Sequence, residues 1–233
     1  MPSAQDPSAD QADWLTRRRR LDSILRLQAA VMVGDPAQFE AVRLLKESLS
    51  DPDVGVREAA AAALCEFGGD GRAALPELIR ATQDENEVVR RRSVRALGFI
   101  ADPVESADAV VPALVAATED SDPGVSLQAM ATLSEFGALA APALPALMSA
   151  VWTGDVRRRA LAGVALARLG ELAVPSLAQS LEHPAAEVRA KAAHVLGKIG
   201  PAAAEAKPGL EKLLSDTDPT VHEEAAEALR LIG

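Results

Sequence analysis

One spacing, met five times, constrains this chain more than any other feature of it. Pro76, Pro112, Pro145, Pro175 and Pro208 each stand 25 positions before a small residue, respectively Ala101, Gly137, Gly170, Gly200 and Gly233. Self-similarity at a fixed period of roughly 20–50 residues marks stacked repeats, in which a unit buries its apolar face only against its neighbours. The distance from each small residue to the next proline varies instead: 8 after Gly68, 11 after Ala101, 8 after Gly137, 5 after Gly170 and 8 after Gly200. Insertions are thus confined to the turns between units, as stacking requires.

Within a unit, apolar residues recur at helical spacing, as in Val111 and Leu114 of one first helix and Leu144, Leu147 and Val151 of the next. The second helices carry the stripes Val56, Ala60, Leu64, Phe67; Val89, Ser93, Leu97, Ile100; and Val125, Ala129, Leu133, Phe136. Three to four apolar positions over three turns make an amphipathic helix, and period-two alternation is absent. Composition agrees. With four Phe, two Trp and no Tyr, the core must be built from aliphatic residues and alanine, the best helix former.

Between the two helices lies a turn written DPDVGVR from Asp51, DENEVVR from Asp84, DSDPGVS from Asp120, HPAAEVR from His183 and DTDPTVH from Asp216. Asp and Pro serve there as helix-start signals, and the closing Gly supplies the positive φ that stops a helix. The pattern Asp-Pro-x-x-x-Val-Arg, then Ala-Ala-x-x-x-Leu, with Pro in the first helix and Ile/Phe-Gly closing the second, resembles HEAT repeats, and the bacterial phycobilin-lyase-like subtype in particular. The resemblance covers Phe39 to Gly233. It implies an all-α, right-handed α-solenoid of about six two-helix repeats: 35–68, 69–101, 102–137, 138–170, 171–200 and 201–233. An extra N-terminal helix at 12–34 caps the first repeat, after a disordered tail at 1–11.

The resemblance also implies a ladder, in which an Asp six residues before an Arg links neighbouring turns. Its rungs are expected at Asp51 with Arg57 and Asp84 with Arg90, continuing through Asp120, Arg159, Arg189 and Asp216. Ser126, Thr153, His183 and His222 stand where other ladder members would. Repeat four departs further, with Arg158 in the place of a valine and Val156 two positions earlier.

Nothing in the chain assembles into a catalytic set. His183, His194 and His222 lack metal-ligand spacing, and Gly68, Gly69 and Gly71 lack the preceding strand a phosphate-binding loop needs. Neither metal nor cofactor is expected. Cys65 is alone, so no internal disulfide forms, and its apolar helical setting reads as a buried, inert thiol. The start of the chain has neither a basic nor an apolar signal region, which reads as cytoplasmic, with no membrane insertion.

The function is therefore read from the second helices, which in HEAT-like stacks line the concave face. Counting from the ladder Arg, the core stripe takes −1, +3, +7 and +10, leaving +1, +2, +5 and +9 for the groove. Those positions supply an apolar centre at Leu127, Leu161 and Val164, a basic rim at Arg91, Arg92 and Arg95, and further cations at Arg168 and Lys191. Such a surface suits a non-catalytic scaffold holding an acidic or partly apolar protein segment. Two other readings stand beside it: a bilin-lyase-like or tetrapyrrole-handling accessory, implied by the resemblance, and a nucleic-acid binder using Arg17–Arg20, Arg90–Arg92 and Arg157–Arg159. A net charge of −10 and few aromatics weigh against nucleic acid.

Overall fold

The computed structural model describes residues 16–27 and 38–233, and among these there is no strand. The expected tail at 1–11, and the parts of the expected cap outside 16–27, lie beyond the described residues. The described chain forms two compact units, one up to Ser106 and one from Ala107 to Gly233.

The first unit begins with a helix at residues 16–27, here α1. It continues with the pair α2 (Gln38–Ser48) and α3 (Val54–Leu64), then a 3-10 stretch (Cys65–Ala74), then α4 (Leu75–Ala81) and α5 (Glu87–Ile100). The division falls in the first turns of α6 (Pro103–Ala117). The second unit holds the rest of α6, α7 (Pro123–Glu135), α8 (Leu144–Thr153), α9 (Val156–Leu169), α10 (Val174–Ser180), α11 (Ala186–Ile199), α12 (Lys207–Leu213) and α13 (Pro219–Ile232).

The start and stop signals act as their chemistry predicts. Asp53, Asn86, Asp122, Asp155 and Asp218 are N-caps whose side chains accept amide protons from the first turns of α3, α5, α7, α9 and α13. Pro76, Pro145, Pro175 and Pro208 occupy the first turn of their helices, where a missing N–H costs nothing. Gly68, Gly170 and Gly200 close their repeats at φ 48°, 61° and 73°. Their ψ values of −135°, −132° and −144° lie outside the left-handed helical well, in a region open only to glycine. From there the chain enters a short 3-10 connector.

The end of repeat two is built differently. Ala101 is extended at φ −70°, and Asp102 caps α6 by accepting from the Val104 and Glu105 amides. The longer spacer seen in the sequence thus becomes helix, and Pro112 lies inside α6 instead of at its start. Pro112 cannot donate to a carbonyl one turn back, a bond the other repeats never need at that position.

Every residue of the three second-helix stripes named above is buried. The buried face is nevertheless wider than those columns. Ala61 and Ala63, Val94 and Ala96, Met130 and Thr132, and Ala193 and Val195 are buried as well, at +4 and +6. The reason is that a second helix packs both on its own first helix and on the next second helix, as α9 does on α8 and α7 and α11 does on α10 and α13. The apolar stretch Val156–Ser180 is long enough by composition to cross a membrane, but Gly170 breaks it into α9 and α10, with Leu166, Leu169 and Leu177 buried.

Candidate functional site

Five of the inter-helix turns share one hydrogen-bond plan, and in repeat four Thr153 instead donates to the Ser149 carbonyl. The first Asp accepts the amide of the residue two positions on: Asp51 from Asp53, Asp84 from Asn86, Asp120 from Asp122, and Asp216 from Asp218, at 2.8–3.0 Å. At His183 the ring nitrogen Nδ1 takes the same part, accepting from the Ala185 amide at 3.1 Å. The imidazole thereby reproduces the turn but brings no carboxylate.

Ladder arginines use these carboxylates with an offset that the sequence reading did not have. Arg57 meets its own turn only through the Asp51 and Pro52 carbonyls, and sends Nε and Nη2 to the carboxylate of Asp84, one repeat on, at 2.8 and 3.0 Å. Arg189 repeats this arrangement with the His183 and Pro184 carbonyls and with Asp216, both side-chain bonds being 2.8 Å. The rung is therefore made between repeats, and the accepting Asp serves its own turn amide and the arginine of the preceding repeat at once. Bidentate bonding to Arg189 holds the Asp216 carboxyl below the usual carboxylate range. Arg90 donates to the Asp84 and Glu85 carbonyls.

Where the ladder residues change, the contacts change with them. Ser126 donates instead to the Thr118 carbonyl at 2.7 Å, in a buried setting. Arg159, whose carboxylate is replaced by His183, lies 3.6 Å from Glu187. Arg158 takes the valine position, half-buried, and reaches back to the Thr118 carbonyl at 3.1 Å, leaving Val156 73 % exposed.

The three arginine runs are in large part structural. Arg17 pairs with Asp53 at 3.1 Å and Arg20 approaches Asp51 at 3.6 Å, so α1 supplies the partner that a preceding repeat would otherwise supply. The sequence reading left that role open, and a ladder Asp with no earlier ladder Arg was the available signal. Arg92, expected on an open rim, pairs with Glu58 of α3 at 2.8 Å, because +2 of one second helix lies against +1 of its neighbour.

The residues expected to bind a partner fall into two sets, one on each unit. On α5, Arg91 is exposed and Arg95 lies over the ring of the exposed Phe99, 5.5 Å from its centroid. On the second unit, Leu127 and Leu161 are half-buried, Val164 is 40 % exposed, and Arg168 is exposed on α9. Lys191 bonds Glu187 one turn earlier on α11. Partial desolvation raises the Glu135 carboxyl of α7, with the charge of Arg168 opposing the shift. Ala190, expected on the open face, is buried beside α13. Cys65 is half-buried instead of buried. Its thiol faces the Ala61 carbonyl at 3.7 Å, and burial pushes its pKa up.

Two hollows lie along the second helices of this unit. One, of about 380 Å³ between α11 and α13, is edged by the pairs Lys191–Glu187 and His194–Glu224. The other, of about 200 Å³ between α9 and α11, is edged by Arg159, Lys191, His194 and Lys198 over a floor that includes Gly163 and Val195. The sequence reading placed His194 and Lys198 on this face without counting them among the binding residues. Gly163 escaped it entirely. No cluster of potential metal ligands occurs among the described residues.

The family profile described as HEAT repeats matches the chain three times, over residues 42–114, 75–167 and 154–230. This chain belongs to the HEAT-repeat family. Solved structures of similar fold include an archaeal HEAT-like repeats protein from Thermococcus onnurineus NA1, 18 % identical, with a TM-score of 0.55, covering 92 % of this chain and 96 % of that one. An engineered protein is 24 % identical at a TM-score of 0.54, covering 82 % and 96 %. A designed armadillo repeat protein is 21 % identical at 0.51, covering 81 % and 98 %. These likenesses show a HEAT/armadillo-type helical repeat fold. The complex of CpcE and CpcF of phycocyanin lyase from Nostoc sp. PCC7120 is 28 % identical over 82 % of this chain and 76 % of that chain, but its TM-score of 0.49 carries no argument. No curated protein matches the chain.

Proposed function

We propose that this HEAT-repeat chain is a non-catalytic, cytoplasmic scaffold that holds an acidic, partly apolar protein segment against the second helices of its second unit. One observation carries the reading. Leu161 and Val164 are partly exposed at +2 and +5 of α9, columns that the core does not use, with cations beside them on α9 and α11. Apolar surface at a centre supplies burial on binding, and charge around it supplies orientation and association rate. The cytoplasmic assignment rests on a lone thiol and on no disulfide among the described residues. Arg91 and Arg95 on α5 offer a separate basic surface on the first unit. Neither the tetrapyrrole nor the nucleic-acid reading has an observation of its own in its favour.

The test uses a partner recovered from the host and its affinity for single variants. Leu161→Asp should weaken binding at least tenfold while the melting temperature stays within a few degrees, since a half-buried side chain at the edge of α9 is not a core residue. Unchanged affinity in a folded Leu161→Asp chain would rule this surface out. Arg91→Glu reports whether the first unit takes part, through a slower, less salt-sensitive association.

A further inference from the structure

We propose that the hollow between α9 and α11 is a receptor for one phosphoryl group, carried on a serine or threonine side chain of the partner segment. The proposal rests on the reading of this face as a partner-binding surface and adds the chemistry of what is bound.

The first argument is charge. In a chain of net charge −10, the ionisable residues edging this hollow are Arg159, Lys191, His194 and Lys198, with no carboxylate among them. Arg159 and Lys191 share the single carboxylate of Glu187, which lies outside the hollow and already serves the two as an internal anion. Lys198 is exposed and makes no ion pair among the described residues. His194 is engaged through Nδ1 with Glu224 at 2.9 Å. Arg159, Lys191 and Lys198 stand against two outlying carboxylates, Glu187 and Glu224, so the edge carries a net positive charge of one, or of two when His194 is protonated. A phosphomonoester carries about −1.5 to −2 at neutral pH and offers three acceptor oxygens to these four donors, whereas a carboxylate offers two acceptors and a single charge.

The second argument is space. At +4 of α3, α5, α7 and α11 stand Ala61, Val94, Met130 and Ala193, all buried. At +4 of α9 stands Gly163, and the hollow opens over it. A Cβ at Gly163 would meet Val195 Cγ2 at 3.6 Å, an ordinary contact, so close packing does not demand glycine there. Nor does helix formation, since glycine is the poorest helix former after proline. What glycine provides at this position is the room. The ladder contributes as well: Arg159 is free of the rung that holds Arg57 and Arg189 because residue 183 is His.

The surroundings select a localised anion over a chain of phosphates. Glu223, Glu224 and Glu227 on α13, on one side, and Glu135 on α7, on the other, would repel a polyanion laid along this face.

Inorganic phosphate titrated into the full-length chain, followed by amide NMR, is the first probe. Saturable shifts centred on Gly163, Val195 and Lys198, reproduced by sulfate and not by chloride at equal ionic strength, are the expected result. Lys198→Gln should weaken phosphate by roughly tenfold, the effect of one charge-assisted hydrogen bond. Gly163→Ala fills the floor without altering any charge, and should weaken phosphate while the melting temperature rises. Shifts that do not saturate, or that spread equally to Arg91 and Arg95, overturn the receptor, as does a Gly163→Ala chain with unchanged affinity. Acetylated peptides differing at one leucine-flanked residue then define the source. Phosphoserine should bind more tightly than glutamate, and glutamate more tightly than serine. Equal binding of phosphoserine and glutamate overturns the phosphoryl assignment, and preference for a single-stranded oligonucleotide overturns the protein-borne source. Leu161→Asp should leave free phosphate binding intact. A recovered partner sensitive to Leu161→Asp but indifferent to Lys198→Gln removes this proposal while leaving the scaffold reading in place.

Discussion

Arg57 and Arg159 occupy the same position in two different repeats, yet the structure uses them in opposite ways. Arg57 is 8 % exposed, bonded to two carbonyls of its own turn and clamped on the carboxylate of Asp84. Arg159 makes none of those bonds, and its guanidinium stands 3.6 Å from Glu187 at the edge of a hollow. The loss of the carboxylate rung originates 24 residues downstream of Arg159, where His183 keeps the turn by accepting from the Ala185 amide but offers no anion. Repeat four's own altered turn, with Arg158 in the valine place, accompanies the loss of the carbonyl bonds. A repeat protein can thus release a structural cation for binding by changing one residue of the next repeat, with the fold intact. Repetition makes the release visible, because the unmodified arrangement recurs at Arg189 and Asp216.

The sharpest way to break this comparison is to show that the repeats differ in their cores and not only in their turns. Leu97 and Leu133, at +7 of α5 and α7, are both fully buried, although Arg90 is present in one repeat and Ser126 replaces the ladder Arg in the other. Truncation of either to Ala should cost about 2–5 kcal/mol, the transfer term plus an unfilled cavity. Denaturant midpoints should fall by similar amounts in the two variants. A large loss in one and none in the other would mean that the cores, not the rungs, distinguish the repeats.

Next in size is the rung itself. Arg57→Ala removes the guanidinium from Asp84, which keeps only its turn amide, and from two turn carbonyls in a part-buried setting, and should destabilise by about 1.5–3 kcal/mol. Arg159→Ala removes only a long, partly exposed contact and should cost under about 1 kcal/mol. Equal losses in urea denaturation would show that Arg159 is as structural as Arg57, and would take away the cation on which the hollow depends.

How much of this was legible in the sequence differs by feature. The core columns were, because helical periodicity fixes which side of a second helix faces its own first helix. Their width was not, since burial at Ala61 or Val94 comes from the neighbouring second helix, which no single helix records. The Asp and Arg of the ladder could be picked out by type, but Arg159 makes no rung, and the bond from Arg57 to Asp84 was hidden behind the shorter spacing from Asp51. The pairing of Arg92 with Glu58 needed two repeats aligned and a column compared between them. The hollow is the hardest case, because what defines it is a side chain that Gly163 lacks.

A small effect is the most telling. His183→Asp should restore the missing rung: the new carboxylate can accept from the Ala185 amide, as Asp84 accepts from Asn86, and present its other oxygen to Arg159. The expected gain is about 0.5–1.5 kcal/mol, the net worth of a hydrogen bond that displaces water. It should appear as a rise of a few degrees in the melting temperature. The same substitution draws Arg159 away from Glu187 and from the hollow, so phosphate should bind more weakly to a chain that is more stable. Stability and anion affinity moving in opposite directions is a result that general unfolding or surface damage cannot produce. If His183→Asp stabilises the chain and phosphate affinity is unchanged, Arg159 belongs to neither arrangement, and the contrast with Arg57 reflects position in the chain alone.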